Sequence, residues 1–137
     1  MCTFRETRKI SVKKAPGTYV WTWQTTLIAA RDVRLIANLW PNVAYYGLGL
    51  RLAPDVFQDG RISPSGTTSG CTPTHVSFRG NGAEVTFEQD AKQANALFVS
   101  NQPDFAFMSL GPTNLRPLDL KQEERLACEY VIRVGDI

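Results

Sequence analysis

The sequence predicts an all-β protein, an antiparallel β-sandwich in a single domain over residues 1–137. Three observations lead there. Apolar and polar residues alternate with a period of two through most of the chain. The alternating segments are short and are separated by turns rich in Gly, Pro, Ser and Asn. Only residues 90–97 and 118–125 have a pattern that a helical turn would suit, too little for a helix-based fold.

The elements follow in order. In residues 8–13, Ile10 and Val12 face one way and Lys9, Ser11 and Lys13 the other. Pro16-Gly17 reads as a turn. Residues 19–30 form a long strand rich in β-branched and aromatic side chains, with Trp21, Trp23, Thr25, Leu27 and Ala29 on one face. After Arg31-Asp32, Val33, Leu35 and Ala37 begin another strand. Residues 44–52 (Ala-Tyr-Tyr-Gly-Leu-Gly-Leu-Arg-Leu) place Tyr46, Leu48, Leu50 and Leu52 on one face and Tyr45, Gly47, Gly49 and Arg51 on the other.

Residues 54–73 read as a long loop, either a binding loop or a disordered segment. Residues 75–79 and 83–88 read as a hairpin joined by Gly80-Asn81-Gly82. Short strands follow at 96–100 and 105–110, then a turn-like stretch at 115–124. Residues 126–134 close the chain as a strand whose core face is Leu126, Cys128, Tyr130, Ile132 and Val134.

Composition narrows the function classes. With 43% hydrophobic and 20% charged residues the chain has the make-up of an ordinary globular protein. Its net charge is +2, and without a basic stripe interleaved with aromatics a nucleic-acid partner is not expected. The longest apolar stretch, residues 39–52, is interrupted by Pro41, Asn42 and Arg51 and falls short of the ~20 apolar residues of a membrane-spanning helix. The opening residues lack the pattern of a signal peptide, so the expected location is cytoplasmic. Cys2, Cys71 and Cys128 are odd in number and have no CxxC spacing, which predicts neither a disulfide framework nor a zinc site. Cofactors and metals are expected to be absent.

Catalytic signals are sparse. The single histidine, His75, alternates with Ser77 and Arg79 and reads first as a solvated strand-face residue; it is also the one candidate catalytic side chain. No GxSxG-type nucleophile signature accompanies it. Asp55, Asp59, Glu84, Glu88 and Asp90 supply acids for a carboxylate pair, but each sits where solvated acids usually sit.

What remains is a carbohydrate surface. Sugars stack an apolar face on aromatic rings while planar side chains fork hydrogen bonds to their hydroxyls. Tyr45, the strip cleared by Gly47 and Gly49, and Arg51 are the expected ligand-binding residues, Arg51 being either a ligand clamp or a cross-strand ion-pair partner. Trp21, Trp23 and Trp40 either extend that platform or, the more common outcome, fill the core.

Several motifs together resemble the C-terminal half of the PmoA-like bacterial family, whose members often carry the label "methane oxygenase". They are Glu6-Thr7-Arg8-Lys9-Ile10-Ser11-Val12, the stretch from Trp21 to Asp32-Val33-Arg34-Leu35, and Tyr46-Gly47-Leu48-Gly49-Leu50-Arg51. Thr67-Thr68-Ser69-Gly70, Val76-Ser77-Phe78-Arg79-Gly80, Ala83-Glu84-Val85-Thr86-Phe87 and the closing Glu124-Arg125-Leu126 to Asp136 complete the set. The resemblance implies a galactose-mutarotase-like β-sandwich in carbohydrate metabolism, of which this chain would be a partial version. Members of that family are longer and have a histidine-rich N-terminal half with no counterpart here. They also carry an Asp-His-Pro-like turn where this chain reads Glu88-Gln89-Asp90-Ala91.

Three functions follow as expectations: a saccharide-binding or catalytically incomplete sandwich, a sugar-active enzyme using His75 or loop acids, or a structural subunit. The last would need a homo-oligomer or a partner chain to cover its sheet edges.

Overall fold

The computed structural model describes residues 2–36, 47–57, 59–102, 105–114 and 116–137. Among them the chain forms eleven strands and one helical turn: β1 (Phe4–Ala15), β2 (Thr18–Ala29), β3 (Val33–Leu35), β4 (Leu48–Leu52), α1 (Pro54–Phe57), β5 (Arg61–Ser63), β6 (His75–Arg79), β7 (Ala83–Gln89), β8 (Ala96–Gln102), β9 (Phe105–Gly111), β10 (Leu118–Leu120) and β11 (Arg125–Asp136).

A six-stranded sheet in the order β1-β2-β11-β7-β6-β5 packs against a three-stranded sheet, β4-β9-β8. A short ribbon pairs β10 with β3. Every pairing is antiparallel. The architecture is the all-β, sandwich-like one that the alternation predicts.

The first hairpin shows why the sequence folds this way locally. Ala15 pairs with Thr18 across a two-residue link, Pro16-Gly17, and Gly17 has φ +68°. A side chain at that φ is strained, whereas glycine occupies it freely. From the turn β1 and β2 run in uninterrupted register back to Phe4 opposite Ala29.

Period-two alternation then sorts each strand's side chains. On β11, Cys128, Tyr130 and Ile132 point inward and are buried, while Glu129 and Arg133 point out. They meet Val76, Phe78, Val85 and Phe87 from the same sheet and Leu52, Leu97, Met108 and Leu110 from the facing one, in one continuous core. Edge-to-face rings reinforce it, Phe87 on Tyr130 at 5.3 Å and Phe57 on Phe78 at 5.9 Å between centroids.

Tyr130 ties the two sheets together. Its hydroxyl donates to the Leu110 carbonyl (2.9 Å) and accepts from Asn95 Nδ2 (2.7 Å). Burial, more than any neighbouring group, pushes this hydroxyl's pKa up.

The structure departs from the alternation in several places. Residues 54–73 are not a featureless loop, since they hold α1 and β5. β5 contributes only Ile62 toward the core, opposite Phe78, and one apolar residue gives no periodic signal. β10 lies within the stretch expected to be turn-like, and it is equally short. Trp23 packs against the core as expected, but Trp21 does not and is exposed. Trp40 and the strand continuation at Ala37 and Ala44 lie outside the described residues.

No helix among the described residues is long and apolar enough to cross a membrane.

Candidate functional site

The inner face of the large sheet is not wholly apolar. On β1 the inward positions run Phe4, Glu6, Arg8, Ile10 and Val12, because each pairs with an inward residue of β2. Leu27 lies opposite Glu6, Thr25 opposite Arg8, and Trp23 opposite Ile10. On the far side of β2, Cys128 lies opposite Thr25 and Tyr130 opposite Trp23. A carboxylate, a guanidinium, a hydroxyl and an indole therefore share one patch beside the core.

The polar groups there are organised. Arg8 donates to Glu6 Oε1 through Nη2 (2.6 Å) and Nε (3.0 Å), and Thr25 Oγ1 donates to the same oxygen (3.0 Å). The Arg8 bond above all, and then the Thr25 bond, hold the Glu6 carboxyl below the usual carboxylate range. The Arg8 guanidinium also lies over the Trp23 ring, 5.0 Å from its centroid. Trp23 and Glu6 thus both contact the Arg8 guanidinium.

These residues line a cleft of about 540 Å³ between the β1–β2 wing and the edge of β4. Phe4, Leu27, Leu35, Leu48 and Leu126 supply apolar walls, and Gly47 and Gly49 form part of the rim. Its size falls within the range of small-molecule sites.

Gly47 and Gly49 reach the cleft by the edge of their strand, not by an open face. A Cβ on Gly47 would fall on Gly111 Cα and the Leu110 carbonyl oxygen, and the residue has φ +148°. A Cβ on Gly49 would lie 2.6 Å from Phe107 Cζ. The glycines admit the β9 backbone and the Phe107 ring, so the cleared strip expected from the sequence is occupied from within the chain. Their role as rim residues of the cleft is a separate matter and rests on position.

The other candidate residues lie elsewhere. Arg51 is exposed on the outer face of the small sheet, opposite Phe107 of β9, and does not line the cleft. Tyr45 lies outside the described residues. His75 is exposed at the start of β6 with Nε2 3.3 Å from Ser77 Oγ, and Ser77 in turn bonds Thr86 (2.9 Å). Glu88, opposite His75, is bound by Arg133 at 2.8 Å. Asp55 and Asp59 border a separate depression with Arg61 and Arg79, while Glu84 pairs with Arg79 at 3.1 Å. The structure brings none of these acids together with His75 in the cleft.

Among the described residues no group of three or more His, Cys, Asp or Glu side chains is placed to hold a metal ion. Cys128 is buried, and Cys2 and Cys71 are exposed.

Sequence reasoning passed over Glu6, Arg8 and Thr25. The available signal was a break in the pattern: oppositely charged residues two apart on the same strand face as Ile10 and Val12.

No family model, curated protein or solved structure matches the chain.

Proposed function

We propose that the chain is a binding module whose cleft takes a saccharide or a similarly amphipathic polyhydroxylated molecule. One observation carries the reading: Glu6, Arg8, Thr25 and Trp23 converge in a single cleft with apolar walls. Such a ligand needs acceptors and donors for its hydroxyls and an apolar surface for its C–H face. Glu6 is the acceptor. Arg8 is the donor, because its bonds to Glu6 use two of the five guanidinium N–H groups. Thr25 is both, and the indole with the leucines is the apolar wall. Glu6 and Trp23 hold the Arg8 side chain through contacts within the chain itself, which reduces the side-chain ordering that opposes binding.

The resemblance to PmoA-like proteins, with the carbohydrate setting and mutarotase-like fold it implies, belongs to the same proposal. It draws its support from the quoted motifs alone. A sugar-active enzyme using His75 gains no support from the geometry, because His75 stands apart from the cleft.

Glycan-array binding followed by titration calorimetry tests the reading. Arg8→Ala and Thr25→Val are expected to weaken the best glycan at least about tenfold, the loss of one or two hydrogen bonds, with circular dichroism unchanged. Arg51→Ala, on the outer face, separates the two surfaces. Loss of binding in Arg51→Ala with none in Arg8→Ala would place the ligand on the outer face and reject the cleft.

A further inference from the structure

We propose that two copies of this chain join edge to edge through β1, in one register, and that each copy supplies Lys14 to the rim of the other's cleft. Three features of β1 lead to this. It is the end strand of the large sheet, and among the described residues no strand pairs with its outer edge. It is long, twelve residues, with an unbroken register to β2 and no proline. Natural edges are usually kept short, bulged or interrupted, because a long regular edge is a template for another strand. Its inward face also continues into exposed apolar surface: Ile10 is 45% and Val12 49% exposed, beside Trp21 at 39%. Apolar groups contiguous with a core and left in water mark an interaction surface.

The charges on β1 select the partner and the register. An antiparallel pairing of β1 with its own copy has two-fold symmetry, the commonest closed arrangement of identical chains. With Ile10 opposite the partner's Ile10, residues 5–15 pair in both directions. Glu6 then meets the partner's Lys14 twice over, Lys9 meets Ser11, Thr7 meets Lys13, and Arg8 meets Val12. No like charges face one another. A shift of two residues one way sets Lys9 against the partner's Lys9. A shift the other way sets Lys9 against Lys13 and Arg8 against Lys14. Directly opposed like charges destabilise a strand pair, and opposite charges stabilise it. The sequence of this edge is therefore complementary to itself in the register centred on Ile10.

The two-fold axis of that register is perpendicular to the sheet, so both clefts open on the same side. Glu6 already receives Arg8 and Thr25 in its own chain. The partner's Lys14 arrives as a further cation at the cleft rim. In its own chain Lys14 lies with Nζ 5.9 Å from the centroid of the Tyr19 ring opposite it on β2, and it turns from that ring to reach the partner's Glu6. The inference stands apart from the identity of the ligand, since the pairing needs only β1.

Sedimentation velocity of the whole chain over the micromolar range reads the dimer, and a charge swap reads its register. Lys14→Glu sets Glu6 against glutamate at both ends and is expected to weaken the dimer about tenfold or more. Adding Glu6→Lys restores opposite pairs and is expected to recover most of that loss. Cross-linking provides an independent readout. In a Cys2→Ser, Cys71→Ser background, Ile10→Cys is expected to form an intermolecular disulfide under mild oxidant, because directly opposed Cβ atoms lie about 5 Å apart and a shift of about 1 Å brings them to disulfide distance. Val12→Cys is expected to remain reduced. A chain that stays monomeric throughout overturns the proposal, whether or not it sediments with phospholipid vesicles. A dimer that cross-links through Val12→Cys in preference to Ile10→Cys also overturns it, since that result indicates stacked faces.

Discussion

Replacing Tyr130 by phenylalanine removes one oxygen from the centre of the molecule and is expected to cost about 2 kcal/mol. The ring stays, so its edge-to-face contact with Phe87 is kept and no cavity larger than a hydroxyl opens. What goes is the donation to the Leu110 carbonyl, which links β11 to β9 across the two sheets, and the acceptance from Asn95 Nδ2. Each neutral hydrogen bond contributes about 1 kcal/mol net, and a buried group left without its partner adds to the loss. Asn95 retains a weaker contact from Nδ2 to Cys128 Sγ at 3.6 Å, which limits that addition. In urea the midpoint should fall by about 1 M if the slope is near 2 kcal/mol/M and unchanged. For a chain of this length the melting temperature should drop by about 7 °C. A change under about 0.5 kcal/mol would mean that Tyr130 does not fasten the sheets together, and the stacking geometry would need revision.

Two further outcomes follow from the same coordinates. Gly47→Ala should destabilise by about 3 kcal/mol, combining a strained φ with collision against the β9 backbone, whereas Gly49→Ala should cost about 1 kcal/mol because the Phe107 ring can turn aside; equal urea midpoints for the two variants would contradict this. Tyr130 also sets a limit at high pH: its raised pKa keeps the proton in the folded chain, so its contribution is fully present below pH ~10 and is lost as pH rises above that value, where the unfolded chain releases the proton. The fall in urea midpoint between about pH 9.5 and 11.5 should therefore be shallower in Tyr130→Phe than in the parent chain.

Strand identity was legible wherever burial on one side imposed alternation over five or more residues. The hairpin of β6 and β7 is the clearest case, because Val76, Phe78, Val85 and Phe87 all face the core and a glycine-rich link joins them. β11 was legible for the same reason, although Val134 at its far end is exposed where the pattern placed it in the core. β5 and β10 escaped because three residues give a period-two pattern too few repeats, and only tertiary pairing defines them.

The site was legible in part. The two glycines stand out in the sequence, but it does not say what lies against them. Here it is Phe107 and the backbone at Gly111, residues some sixty positions away. Glu6 and Arg8 belong to a strand at the sheet's edge; the β1–β2 register brings them to Trp23, but their meeting with Leu48 depends on how β4 crosses the wing. That placement is a property of sheet stacking, which no local pattern records.

The claim on which the functional reading depends is that a guest sits between Trp23 and the edge of β4. Nitrogen-edited NMR during titration with the best-binding oligosaccharide addresses it directly. The indole N–H of Trp23 and the amides of Gly47, Gly49 and Arg8 are expected to shift together along one saturating curve, while His75 and Arg51 stay in place. Saturable shifts confined to Arg51 and the outer face of β9, with Trp23 unmoved, would contradict the account.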